Sequence, residues 1–222
     1  MPLRQDAERN RVRILEAARR VFARDGLDAS MNSVAREAGV GPATLFRRFP
    51  TKEALIDEVF SDRMDAHLAA IDDALAAPDP WQGLRTYIQI MCERQAEDAG
   101  FSDVITSAFV TAKGVERRRQ HAYRRLNELI ARAKNTGRLR QDFTAEDVIL
   151  IQAANAGVIT TTASDAPGAW RRVVELMLQA LEQPTPPPLP PAPTPSAVYR
   201  AMLRAARRRD ATRTVGDAEA RR

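Results

Sequence analysis

Arg47, Arg48 and Lys52, with Thr44 and the small residues Gly41, Pro42 and Ala43 just ahead of them, are the side chains of this 222-residue sequence whose types and spacing point to chemistry. A guanidinium can pair with a phosphate or a guanine edge, a threonine hydroxyl can donate to a phosphate oxygen, and small residues let a helix approach a groove closely. In a helix from Pro42 to Phe49, Leu45, Phe46 and Phe49 take one side and leave Ala43, Thr44, Arg47 and Arg48 largely outward. Pro50 stops that helix. Thr51 caps the next, where exposed N–H groups, the positive end of the helix dipole and Lys52 converge on one phosphate-sized site. This chemistry suits holding a nucleic acid; a surface helix pair with solvated arginines is the alternative.

The elements that must position these residues follow from the flanking sequence. Ser30 is a good N-cap, and Met31, Val34, Ala35 and Ala38 recur at helical spacing, so a two-turn helix should end near Ala38. Gly39 supplies the left-handed conformation that closes it, Val40 plugs the apolar angle, and Gly41-Pro42 opens the next helix. Ala7 to Asp25 forms a first helix with Val12, Leu15, Ala18, Val21 and Phe22 inward and its arginines on the opposite side. Lys52 to about Ala76 forms a long fourth helix, packed through Leu55, Ile56, Val59, Phe60, Met64, His67, Leu68, Ile71 and Leu75.

Between Arg9 and Phe60, the AGV turn, the ATLFRRF helix and the FPTKEAL entry to the fourth helix resemble the TetR (tetracycline-repressor-like) family of bacterial transcription factors. The resemblance implies an all-α chain of about nine or ten helices. A three-helix DNA-binding head would be joined by the fourth helix to a helical ligand-binding and dimerisation body, and a small molecule would release the operator. It also brings the start of the second helix, Asn32 and Ser33, to the duplex. Three positions depart from the family pattern. Gly41 is often serine, Phe46 a tyrosine whose hydroxyl holds a phosphate, and Arg48 often histidine or tyrosine. Phe46 cannot make that bond, and the charge of Arg48 can replace some of the lost attraction.

Composition agrees with a helical protein, at 44% hydrophobic residues and only 5% aromatic. The net charge of +5 is unevenly spread: residues 1–52 hold 11 basic and 6 acidic side chains, 53–195 hold 15 and 20, and 196–222 hold 8 and 3. A basic head on an acidic body suits a DNA-binding module fused to a domain that does not bind DNA. The single Cys92 excludes an intramolecular disulfide, and the charged start MPLRQDAERN lacks an apolar signal core, so a cytoplasmic location is expected. The longest uncharged run, Val148 to Ser164, falls short of the roughly 20 apolar residues of a membrane span, and no membrane contact is expected of it.

The expected domains are 1–52 (head), 53–183 (body), 184–195 (a proline-rich spacer) and 196–222 (a basic helix and tail). In the body, five helices are expected at Trp81–Asp98, Phe101–Ala112, Val115–Lys134, Thr144–Thr162 and Pro167–Leu181. The last is apolar nearly all round and needs more than one partner surface. The resemblance makes the last two helices an intersubunit bundle, with Ile151, Ala154, Val158, Trp170, Val174, Met177, Leu178 and Leu181 as interface candidates; simple core packing is the alternative. Aromatic walls with a few polar groups nominate Tyr87, Met91, Gln95, Phe101, Ile105, Phe109, Tyr123, Leu126, Asn127 and Ile130 for an effector pocket, again against ordinary core packing.

QPTPPPLPPAPTPS should form a stiff polyproline II spacer before SAVYRAMLRAARRR, a basic amphipathic helix with a serine cap. That helix could dock back on the protein, solubilise it, or touch a nucleic acid or membrane surface. An enzyme is disfavoured: the sequence has no Walker loop, no GxSxG and no third glycine after Gly39-Val40-Gly41. With only His67, His121 and Cys92 it cannot build a His/Cys metal cluster, and no cofactor is expected. A helical interaction scaffold is the other alternative, and it leaves the arginine-bearing turn without a purpose.

Overall fold

The computed structural model describes residues 2–25, 29–97, 113–182, 187–198, 200–202 and 204. Among them every regular element is a helix: α1 (Pro2–Asp25), α2 (Met31–Ala38), α3 (Pro42–Arg48), α4 (Lys52–Ala76), α5 (Pro80–Glu97), α6 (Lys113–Asn135), α7 (Ala145–Thr162) and α8 (Ala169–Leu181), with a short helical run from residue 195. The helix expected at Phe101–Ala112 lies outside the described residues. Starting at Pro2, α1 is longer than the expected Ala7–Asp25.

Two compact units divide after Met64. The head core is built from Ile14, Ala17, Ala18, Val21 and Phe22 of α1, Met31, Val34 and Ala35 of α2, Leu45 and Phe49, and Leu55, Ile56, Val59 and Phe60 of α4. The first turns of α4 thus belong to the head, which extends beyond residue 52 because these side chains are the floor on which α1 to α3 pack. Val12 is a correction to the expected inward stripe: it is 44% exposed, and Ile14 and Ala17 fill the core in its place.

In the body, Ile71, Ala74 and Leu75 of α4 pack with Trp81, Leu84, Tyr87 and Ile88 of α5, Leu126, Leu129 and Ile130 of α6, Val148 and Ile151 of α7, and Trp170, Val174 and Leu178 of α8. Asp79 starts α5 by accepting from the N–H groups of Trp81 (2.9 Å) and Gln82 (3.3 Å). Its other oxygen accepts from Arg138 at 2.7 Å, and Arg138 also grips Glu182 beyond α8. At the start of α7 the Asp147 carboxylate reaches back to accept from the Thr144 N–H at 2.7 Å and from its hydroxyl at 3.0 Å. Gly83 lets α5 meet α4 closely, since a Cβ there would lie 2.3 Å from the Ala74 carbonyl oxygen.

The proline-rich segment is tied to the body where it is described. Arg140 donates to the Pro187 carbonyl at 3.0 Å, and the Leu189 N–H donates to Asp142 at 3.1 Å. Thr194, not Ser196, caps the short run after it, accepting at its carbonyl from Ala197 (2.9 Å) and Val198 (3.1 Å).

Candidate nucleic-acid interface

The turn between α2 and α3 forms as its residue types require. Ser30, extended at φ −75° and ψ 149°, accepts from the Ser33 N–H through its hydroxyl at 3.1 Å. Gly39 sits in the left-handed region at φ 63°, where residues with a Cβ are strained, and Gly41-Pro42 leads into α3 with proline at its start. Thr51 caps α4 by accepting from the Ala54 N–H at 3.1 Å.

Leu45 of α3 and Phe49 just after it are buried, and Phe46 is 45% exposed. Phe46 is therefore not the core residue expected from the sequence. At about 100° per residue it lies about 80° from the direction midway between Leu45 and Phe49. Arg48 lies about 80° away on the other side, and Arg47 points opposite the core. Gly41, Pro42, Ala43, Phe46, Arg47 and Arg48 are all exposed, with Thr44 and Lys52 half-buried at the margins. Of the two α2 candidates, Asn32 is exposed, whereas the half-buried Ser33 is occupied with the Ser30 cap.

Charge pairing separates these cations from the rest of the head. Arg11 bonds to Glu58, Arg19 to Asp62 at 3.4 Å, Arg20 to Glu37 at 3.0 Å and Arg24 to Asp25 at 2.8 Å, while Arg13 donates to the Ala38 carbonyl at 2.8 Å. Arg20 and then Arg24 hold the Glu37 carboxyl below its ordinary range. Among the described side chains of the head, Arg36, Arg47, Arg48 and Lys52 are the cations outside this pairing. Arg36 was missed by the sequence reading, although it stands one helical turn after Asn32 on the same face of α2. Spacing of i, i+4 was the available signal.

The remaining candidates fall differently. Tyr87, Leu126 and Ile130 are buried in the body core, with Met91 and Tyr123 half-buried against it. Tyr123 donates to the buried Glu146 at 2.8 Å, while Asn127 is exposed and donates to the Tyr123 carbonyl at 2.8 Å. Gln95 accepts from Asn155 at 2.8 Å. Phe101, Ile105 and Phe109 lie outside the described residues. Asn155 is 1% exposed and also donates to the Cys92 carbonyl at 3.2 Å; its own Oδ1 accepts no hydrogen bond among the described residues. Burial raises the Cys92 thiol to about 12, so it is a neutral core side chain.

The interface candidates lie mostly within the body. Ile151, Trp170, Val174, Leu178 and Leu181 are buried in the body's own core, and Val158 and Met177 pack partly against it. Of the eight, only Ala154 is exposed; the same two helices instead expose Leu150 (47%), Ala153, Gly157 and Leu176 (55%). Among the described residues no group of three His, Cys, Asp or Glu side chains could hold a metal ion, and no helix is long and apolar enough to cross a membrane.

Comparison with known proteins bears on both units. Residues 14–59 match the model of bacterial regulatory proteins of the tetR family, and residues 79–183 that of the C-terminal domain of SbtR-like transcriptional regulators. A solved TetR transcriptional regulator from Streptomyces coelicolor is 31% identical, covering 79% of this chain and 99% of that one, with a TM-score of 0.50. The chain belongs to the TetR family. It has the TetR all-α architecture, and TetR regulators bind DNA and usually form dimers. A helix-turn-helix regulator of Staphylococcus aureus is 39% identical over 75 residues, 32% of this chain. The chain spans about 40% of the length of the curated relatives it matches. The fatty acid degradation regulator FadR of Bacillus halodurans, 20% identical with a TM-score of 0.59 over 78% of this chain and 94% of that one, shares the TetR fold.

Proposed function

We propose that this TetR regulator is a homodimeric repressor that holds a roughly palindromic operator through α2 and α3 of each copy and is released by a small molecule bound in its body. The observation that carries the DNA assignment is the division of charge in the head. The described arginines of α1 are engaged with partners, whereas Arg36, Arg47, Arg48 and Lys52 stand available around the turn, with Arg47 opposite the buried face of α3. In this reading Ala43 and Pro42 permit close approach, Arg47 meets a base edge or phosphate, and Arg48 and Lys52 meet phosphates. Asn32 reaches the duplex from α2.

Dimerisation is proposed through the exposed apolar side of α7 and α8, around Leu150, Ala154, Gly157 and Leu176. Two heads one turn of DNA apart, about 34–36 Å or a multiple of it, then meet successive major grooves. Because α4 supplies side chains to both cores, an effector that favours one position of its body end changes the head spacing and shifts the dimer population away from operator-compatible states.

Selection of bound fragments from the source genome by the full-length protein, followed by footprinting, tests this. Enrichment of sites with two-fold symmetric halves one helical turn or a multiple apart is expected. Absence of any enriched duplex would overturn the DNA reading, and an operator affinity that no small molecule alters would overturn the coupling.

A further inference from the structure

We infer that Arg13, on α1, is the positioning residue of the DNA interface: it fixes the α2–α3 turn by closing the carbonyl end of α2. The inference rests on α2 and α3 being the DNA-holding elements. It starts from an account of the last α2 carbonyls. The Gly39 N–H donates to Arg36 at 3.1 Å and the Val40 N–H to Ala35 at 3.0 Å, so the backbone satisfies those two itself. Beyond Glu37, the carbonyls of Ala38 and Gly39 both accept from Arg13 Nη2, at 2.8 and 3.4 Å. A guanidinium there meets the partly negative end of the α2 dipole. Partners 25 and 26 residues away in sequence make this a tertiary clamp.

Gly39 suits the same arrangement. Its φ of 63° favours glycine, and a Cβ at this position would lie 2.9 Å from Arg13 Nη2. The residue that permits the turn therefore also admits the group that holds it. Only Val40 and Gly41 separate the clamped carbonyls from Pro42, so a change in the turn is carried directly into the direction of Arg47. Arg20 and Arg24 brace the same end of α2 through Glu37, at 3.0 and 3.4 Å, but those pairs are exposed and contribute little. Arg13 alone bonds to the turn backbone among the described α1 side chains.

A positioning role separates sequence-specific from non-specific binding. The full-length protein, wild type and with Arg13→Ala, Arg13→Gln and Arg13→Lys, is titrated at one salt concentration against two duplexes. One is the duplex that the wild type selects from a random pool, and the other is a scrambled duplex of equal composition. Arg13→Ala should lose about tenfold or more in affinity for the selected duplex, with the scrambled duplex changed by less than about twofold. Arg13→Lys and Arg13→Gln, which keep a donor, should recover part of the loss. An unchanged ratio in all three variants overturns the inference, as does an equal loss on both duplexes, which would make Arg13 an ordinary phosphate contact. If Arg13→Ala does not fold, the Gln and Lys variants carry the same comparison. A wild type that selects no duplex would instead sink the DNA reading, before any variant is made.

Discussion

Arg140 and Asp142 form a two-pronged pair, Nε to Oδ1 at 2.5 Å and Nη2 to Oδ2 at 2.9 Å, and together they hold the proline-rich segment through the Pro187 carbonyl and the Leu189 N–H. The Arg140 guanidinium, and then the Leu189 N–H, keep the Asp142 carboxyl well below the usual carboxylate range. A depressed folded value means that the contribution is complete above the unfolded pKa of about 3.9 and fades as pH falls below it. Asp142→Asn should therefore speed hydrogen exchange at the Leu189 amide about tenfold at pH 7, while the wild-type amide stays protected from pH 8 to 5. Equal exchange in both proteins would contradict the tie.

His67 of α4 meets the ring of Tyr87 edge-on, with centroids 5.9 Å apart. Burial, aided by the Arg94 guanidinium, lowers its pKa to about 4. The unfolded chain then binds more protons between about 6.5 and 4, so stability is full above the upper value and declines through that window. Chemical denaturation from pH 7 to 4 should show a loss on the order of 1–3 kcal/mol beyond that of His67→Phe. Parallel pH profiles for the two proteins would refute the assignment.

Gly83→Ala should destabilise the body by about 2–4 kcal/mol, because the new methyl meets backbone, which cannot turn aside as a flexible side chain can. A melting temperature within a degree of wild type would show that α4 and α5 separate easily.

Arg47→Ala and Lys52→Ala should each weaken operator binding and reduce the magnitude of the salt slope by about 1 for every phosphate contact removed, with helicity unchanged. Arg36→Ala should act in the same direction. Unchanged affinity at fixed salt in all three would remove the head from the interface.

Leu150→Glu and Leu176→Glu should convert a dimer to folded monomers in sedimentation or light scattering, since both side chains are about half exposed. Leu178→Glu, at a fully buried position, should unfold the body instead. Dimers that survive both exposed substitutions would rule out this face.

Much of the head was legible in the sequence because its signals are local. Ser30, Gly39, Pro42 and Thr51 act within a few residues through capping and allowed dihedral angles, and each does so in the structure. Phe46 and Val12 were misjudged for a different reason. Apolar type suggests burial, but Phe46 stands on the shoulder of α3 and Val12 lies well round α1 from Ile14, Ala18 and Val21, so both are close to half exposed. Leu178 shows the same limit: its type marks it as apolar surface on α8, and only the packing of the body places it in the core.

The sequence by itself determined most of the described helices, the caps around the α2–α3 turn and the charge contrast of head and body, since periodicity, caps and charge are properties of neighbouring residues. Only the tertiary structure decided which cations stand available. Arg13 and Arg47 are identical in kind, and what distinguishes them is that one faces the carbonyls ending α2 and the other faces outward. That difference depends on residues 25 positions apart meeting in space, and no local pattern encodes it.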